Sequence, residues 1–271
     1  MIYTANCKIN LGLNILSKRQ DGYHNLETVM VPVLSLYDMV EILPRKKGEV
    51  FFSSSGLTVD CSPEDNLCLK AYRLLQKEFE LDGIAIHLHK VVPFGAGLGG
   101  GSSDAVSVLK GVNELYGLSL SELQLQEYAA ALGSDTSFFV YNVPMLCSGR
   151  GEILAPVGLS LKGYYLTLVK PAVSVSTSAA YKGVIPRSPA IPITEIIKKD
   201  ISCWRGMLIN DFEESIFPRY PELKKIKDML YERGALYASM SGSGSTFLAL
   251  SRVPIVPDGA FEGMFIHTAC L

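Results

Sequence analysis

Residues 94–104 read Phe-Gly-Ala-Gly-Leu-Gly-Gly-Gly-Ser-Ser-Asp, and apolar residues at helical spacing follow at Ala105, Val108, Leu109, Val112 and Leu115. Glycines let a backbone approach closely and leave amides to surround an anion. A helix beginning near Ser103 adds the positive end of its dipole and its unpaired N–H groups. Phosphate binding is the chemistry this arrangement predicts. Gly95, Gly97 and Gly100 also satisfy G-x-G-x-x-G, but a dinucleotide site needs an acid closing the next strand, roughly 20 residues on. Here Glu114 and Glu122 fall inside predicted helices. Neither G-K-[ST] nor the H-R-D and D-F-G elements of protein kinases occur. The loop is a phosphate cradle of another kind.

Lys8 and Asp135 are the second candidates. Lys8 lies on the polar side of an alternating segment, with Asn6, Asn10 and Asn14, opposite Cys7, Ile9, Leu11, Leu13 and Ile15. Asp135 follows a helix closed by Gly133 and precedes an apolar stretch, where a carboxylate also suits a helix cap. Together the two residues have a further use. Phosphoryl transfer to an alcohol needs a carboxylate to take the hydroxyl proton and a cation to orient it. Spacing alone does not bring them together. His87 and His89 share one strand face without carboxylate or cysteine partners at ligand spacing, and read as surface or hydrogen-bonded histidines.

The elements that must position these groups follow from periodicity and punctuation. Asp21-Gly22 marks a hairpin, with a β-rich stretch from Tyr23 to Val33 after it. Ser62-Pro63 opens a helix with Leu67, Ala71, Leu74 and Leu75 as its stripe, and Ile84, Ile86 and Leu88 alternate toward Pro93. Ser119 to Glu122 reads as a capping box. Residues 142–162 are rich in Gly and Pro and mark a boundary, giving an N-terminal domain over 1–150 and a C-terminal one over 151–271. Beyond it, 164–169 reads as a strand, 207–214 and 221–233 as helices. Residues 235–240 and 246–250 read as strands flanking Ser-Gly-Ser-Gly-Ser at 241–245. Strands and helices without strict βαβ alternation indicate an α+β fold.

The chain has 271 residues, a little under two domains at about 150 each. Its 48% hydrophobic residues suffice for a sizeable core and exclude intrinsic disorder. Lys+Arg total 25 against 27 Asp+Glu, a net charge of −2, which argues against a nucleic-acid partner. Mean hydropathy is +0.23. No apolar run nears the roughly 18 residues that span a bilayer, so no membrane partner is expected. The start has neither a basic n-region nor an apolar h-region. Six cysteines without a C-x-x-C pair fit reduced thiols, and the expected location is cytoplasmic.

Lys8-Ile-Asn-Leu-Gly-Leu13, Pro93 to Asp104, Gly133-Ser-Asp135 and Ser241-Gly-Ser-Gly-Ser-Thr246 together resemble the GHMP small-molecule kinases, in order and spacing over nearly the whole chain. Asp21-Gly22-Tyr23-His24 resembles the branch whose substrate is a sugar alcohol bearing cytidine diphosphate, phosphorylated in isoprenoid biosynthesis. The resemblance implies a ribosomal-protein-S5-like N-terminal domain and a ferredoxin-like C-terminal domain, with the site in the cleft between them. It implies ATP with Mg²⁺, Asp135 as base and Lys8 as its electrostatic partner. Pro93, Phe94, Gly95, Ala96, Gly97, Leu98, Gly99, Gly100, Gly101, Ser102 and Ser103 match the ATP loop, with Ser102 or Ser103 as hydroxyl contacts for the metal. Asn10 matches a substrate contact, and Tyr23 and His24 the positions that stack on and hydrogen-bond the cytosine. Tyr181 matches a second aromatic wall, and Gly242 a loop facing the same cleft. Aromatic faces stack on any base, whereas an imidazole edge distinguishes donors from acceptors. The chain departs from the family in having Asn6-Cys7 where Pro-Ala is usual, and Ser134, Thr136 and Ser137 around the aspartate where small and apolar residues are usual. Two other readings stay open: a relative acting on homoserine, mevalonate or a sugar, and a nucleotide-binding module without catalysis. Oligomeric state is not legible.

Overall fold

The computed structural model describes residues 1–59 and 61–271. The chain divides into two units. The first comprises Met1–Lys8, Pro32–Phe94 and Gly99–Val143; the second comprises Ile9–Val31, Gly95–Leu98 and Pro144–Leu271.

The first unit takes the opening of β1 (Ile2–Lys18) and the latter part of β2 (His24–Arg45). It continues through β3 (Val50–Gly56), α1 (Leu67–Phe79), β4 (Gly83–Lys90), α2 (Gly100–Leu115), α3 (Glu122–Leu132) and α4 (Phe138–Tyr141). β4 runs antiparallel to β2, with Val40 opposite Leu88 and Ile42 opposite Ile86, and parallel to β3. Alternation puts Val40, Ile42, Ile84, Ile86 and Leu88 in the core, where Leu69, Tyr72 and Leu75 of α1 and Val108, Leu109 and Val112 of α2 are also buried. Each such aliphatic side chain contributes about 1.5–3 kcal/mol on leaving water. On the opposite sheet face, His87 Nδ1 lies 2.8 Å from Ser53 Oγ, and Ser55 Oγ lies 3.0 Å from both His87 Nε2 and His89 Nδ1. Both histidines are therefore hydrogen-bonded.

In the second unit, β5 (Met145–Gly149) pairs antiparallel with the start of β2, and β6 (Ile153–Pro156) pairs with β5. Then come β7 (Tyr165–Lys170), α5 (Thr177–Tyr181), α6 (Ile193–Ile196), α7 (Phe212–Ile216), α8 (Pro221–Glu232), β8 (Tyr237–Met240), β9 (Phe247–Ser251) and β10 (Phe265–Cys270). The sheet β10-β7-β9-β8 is antiparallel throughout. Leu13, Ile15 and Leu26 share one apolar core with Phe212, Ile216, Leu223, Ile226, Leu230 and Phe247. Among the described residues no helix is long and apolar enough to cross a membrane, and no disulfide forms.

Several boundaries differ from the sequence expectation for local reasons. Ser62 caps a 3₁₀ turn by accepting Asp65 N–H at 3.2 Å. It is Asn66 that caps α1, accepting Cys68 N–H at 2.9 Å, so the buried stripe becomes Cys68, Leu69, Ala71, Tyr72 and Leu75. α2 begins at Gly100 rather than near Ser103, because tertiary packing overrides the poor helix propensity of two glycines. The capping box is Ser121 with Gln124, while Ser119 sits at φ 57°. Residues 142–162 hold the hairpin of β5 and β6. Of the predicted 207–214 helix only 212–214 is helical, within Phe212–Ile216, since Leu13 N–H donates to Ile209 O and Asp211 N–H to Leu13 O, both at 2.8 Å. Those bonds hold 209–211 extended along β1.

Candidate active site

Lys8 ends the first unit's share of β1, and Asp135 follows the C-terminus of α3. Lys8 Nζ lies 2.9 Å from Asp135 Oδ2, with the lysine side chain 2% and the aspartate 35% exposed. A buried cation thus holds a carboxylate whose remaining side is open to an incoming hydroxyl. Gly99 closes on this pair. At φ 70°, its Cβ as any other residue would fall 3.0 Å from Lys8 Cε and 2.9 Å from Phe139 Cζ, so conformation and space both require glycine. The unusual neighbours of the aspartate turn inward. Thr136 and Ser137 are fully buried, Ser137 Oγ donates to Gln126 O, and Thr136 Oγ1 has no partner among the described residues.

The glycine-rich loop passes through both units: Pro93 and Phe94 belong to the first, Gly95 to Leu98 to the second, and Gly99 to Ser103 again to the first. The first bond of α2 runs from Ser103 N–H to Gly99 O at 3.0 Å, and no side chain caps the helix. The N–H groups of Gly100, Gly101 and Ser102 therefore precede any helical acceptor, which is where an anion binds. Beside this turn a cavity of about 150 Å³ is lined by Asn66, Leu67, Lys90, Phe94, Gly101 and Asp104.

Under the same turn lies a second lysine with carboxylates. Lys90 Nζ donates to Asp38 Oδ2 at 2.5 Å and to Asp104 Oδ2 at 2.7 Å, and all three side chains are at most 3% exposed. Asp38 Oδ1 accepts Val91 and Val92 N–H at 2.6 and 2.8 Å. Asp104 Oδ1 has no partner among the described residues. Burial pushes the Asp104 carboxyl up to about 8 against the pull of Lys90, with Asp38 adding to the rise.

In the second unit, Ser241 ties two predicted residues together. It accepts Asn10 N–H at 3.2 Å and donates to Gly97 O at 3.0 Å. Gly97, at φ 76°, has the Ser241 carbonyl where a Cβ would stand. Ala96 O accepts Thr246 N–H at 3.3 Å, and Asn10 Oδ1 lies 3.2 Å from where a Gly242 Cβ would be. Asn10 Nδ2 itself donates to Thr28 Oγ1 at 3.1 Å. His24 stacks on Tyr181 with ring centroids 4.9 Å apart and planes 21° from parallel. Phe212 meets Tyr181 edge-on at 4.8 Å. Burial, then the charge of Lys18, lowers the His24 imidazole below its ordinary range, which favours the neutral ring. Tyr23 is 54% exposed, and the Arg150 guanidinium sits 5.1 Å from its ring centroid.

Two family descriptions match this chain, GHMP kinases N terminal domain over residues 66–143 and GHMP kinases C terminal over 193–254. A 4-diphosphocytidyl-2-C-methyl-D-erythritol kinase from Bacteroides thetaiotaomicron is 52% identical over 252 residues, covering 92% of each chain. The chain is a GHMP kinase. A solved 4-(cytidine 5'-diphospho)-2C-methyl-D-erythritol kinase superposes with TM-score 0.80 at 32% identity, over 94% of this kinase and 91% of that chain. Homoserine kinase from Cytophaga hutchinsonii, at 18% identity and TM-score 0.67 over 98% and 94% of the two chains, shares the fold alone.

Sequence reasoning missed three parts of this GHMP kinase's site. Arg150 carries a signal, since Gly149 and Gly151 flank it as a turn would require. Asp38 and Lys90 carry little, being a single acid and a single base in alternating strands 52 residues apart. Ser241 lies in a segment recognised only for its glycines, although its hydroxyl makes the bonds.

Proposed function

We propose that this kinase transfers the γ-phosphoryl group of ATP to the 2-hydroxyl of the methylerythritol unit of 4-diphosphocytidyl-2-C-methyl-D-erythritol. The observation that carries the reading is the 2.9 Å contact between buried Lys8 and half-open Asp135. Asp135 accepts the hydroxyl proton as the new phosphorus–oxygen bond forms, and Lys8 fixes the orientation of the carboxylate. The amides of Gly100, Gly101 and Ser102 face the phosphate charge without moving, so little reorganisation opposes the transfer. The cavity beside Phe94 and Asn66 suits an adenine ring, having apolar walls from Leu67, Leu88 and Phe94 and polar groups from Asp65 and Asn66.

ATP brings the transferable group, and Mg²⁺ neutralises charge on it. The residues present fit both: Gly97 and Gly99 leave no room for side chains where the backbone bends round the phosphates. Ser102 or Ser103 would offer a hydroxyl to the metal. Among the described residues no group of three His, Cys, Asp or Glu side chains is arranged to hold an ion, and the nucleotide's phosphates would supply metal ligands of their own.

Tyr23 and Tyr181 wall the cytosine, His24 reads its edge, and Asn10 and Gly242 contact the acceptor side. In this reading 1–150 bears the ATP and 151–271 contributes substrate contacts, and the enzyme works in the cytoplasm. The test is ADP release with the cytidyl substrate, homoserine and mevalonate in parallel. Turnover with the cytidyl substrate at a kcat/KM at least about 100-fold above the others is expected; equal or better turnover of homoserine or mevalonate would falsify the assignment.

A further inference from the structure

A cavity of about 410 Å³ opens in the second unit between the segments 187–196 and 206–211, and no residue assigned above to nucleotide or acceptor lines it. Its walls are apolar, chiefly Ile191, Ile193, Ile196 and Met207. Its polar groups are few and converge. Asn14 is 5% exposed, and no described residue hydrogen-bonds its carboxamide, which leaves a donor and an acceptor for an occupant.

The charged side chains among the described lining residues are one cation and one anion, Arg187 and Asp211. Their contact is loose. Arg187 reaches Asp211 Oδ1 at only 3.4 Å, longer than the 2.7–2.9 Å of a strong charge-assisted bond, and its close partner is exposed Glu214 at 2.8 Å. Asp211 is 4% exposed, and Oδ2 accepts Ile15 N–H at 2.7 Å. Burial raises its carboxyl above the ordinary range. Asp211 Oδ1 is thus a buried acceptor short of a close donor.

Within a lining that balances one charge of each sign, a carboxylate-only ligand would face Asp211 and an amine-only ligand would face Arg187. A molecule carrying both charges on adjacent atoms meets neither repulsion. We propose that this cavity binds an α-amino acid zwitterion with an apolar side chain. The ammonium sits on Asp211 Oδ1, the carboxylate on Arg187, the Asn14 carboxamide spans the two, and the side chain lies among the isoleucines. The volume falls in the range of natural ligand sites, about 300–1,000 Å³.

Calorimetry on the full chain tests this with L-leucine, L-methionine and L-phenylalanine as probes, against 4-methylpentanoate and 3-methylbutylamine, which each lack one charge. At least one amino acid binds with Kd on the order of 0.1–1 mM, ordinary for so few atoms. Its one-charge analogues bind about tenfold or more weakly, and so does Arg187→Gln. Ile191→Trp fills the mouth from a position 41% exposed, folds independently of the cavity, and abolishes binding. Three results overturn the proposal: no heat from any amino acid at about 10 mM, equal binding of a one-charge analogue, or binding unchanged in Ile191→Trp.

Discussion

The first unit contains two lysine–carboxylate arrangements built from the same chemistry and sealed to different degrees. Lys8 meets one carboxylate, Asp135, whose side chain keeps 35% of its surface. Lys90 meets two, Asp38 and Asp104, and nothing in that cluster exceeds 3%. An open carboxylate can exchange a proton with a ligand, whereas a sealed one can only hold its neighbours in place. Exposure, not residue type, separates the proposed proton acceptor from the strut. Asp38 makes the second role explicit, because its other oxygen fixes the backbone at Val91 and Val92, where the chain leaves β4 for the glycine-rich loop.

Four substitutions break or sharpen this contrast. Asp135→Asn removes the acceptor and is expected to lower kcat about 10³–10⁴-fold while the chain stays folded in the absence of urea; a loss under tenfold would contradict the role. Lys90→Met leaves buried Asp38 and Asp104 without their shared donor and should cost about 3–5 kcal/mol of unfolding free energy, read by chemical denaturation. Tyr23→Ala touches neither cluster. It should raise KM for a cytidyl substrate by about 5- to 100-fold through lost stacking, while KM for ATP stays put.

The smallest effect is a pH slope. The folded-state pKa of Asp104 is raised to about 8 from an ordinary 3.8, so the native chain holds a proton that the unfolded chain releases. Stability from this group is present below about 4 and lost as pH rises through about 8, at no more than about 1.4 kcal/mol per pH unit. Denaturation at several pH values between 6 and 9 should show wild type losing stability and Asp104→Asn losing less. Parallel slopes would mean that Asp104 is ionised throughout.

Much of this was legible from spacing. The alternation of β1, the glycine-rich turn into α2 and the separate Gly-Ser-Asp at 133–135 singled out the loop, Lys8 and Asp135 as candidates, and only the family resemblance paired the lysine with the aspartate. What escaped depended on contacts distant in sequence. Nothing near Asp38 announces that it accepts from Lys90 and two amides. The 207–214 helix failed because backbone pairing to Leu13, almost 200 residues away, outweighs a local pattern. Helix starts slipped by a few residues where two capping side chains competed, as Ser62 and Asn66 do, and the nearer one to the apolar run prevailed.

The His24–Tyr181 stack has a kinetic consequence. At 4.9 Å between centroids there is no gap for a third ring, so a base that is to lie on the face of Tyr181 that His24 covers must first displace the imidazole. The protein's own side chain acts as an intramolecular competitor. The observed association constant is then the intrinsic one multiplied by the fraction of molecules with the stack open. For the base contact proposed above, arrival is slowed by that fraction while departure is not hastened, so the complex outlives what its overall affinity alone implies.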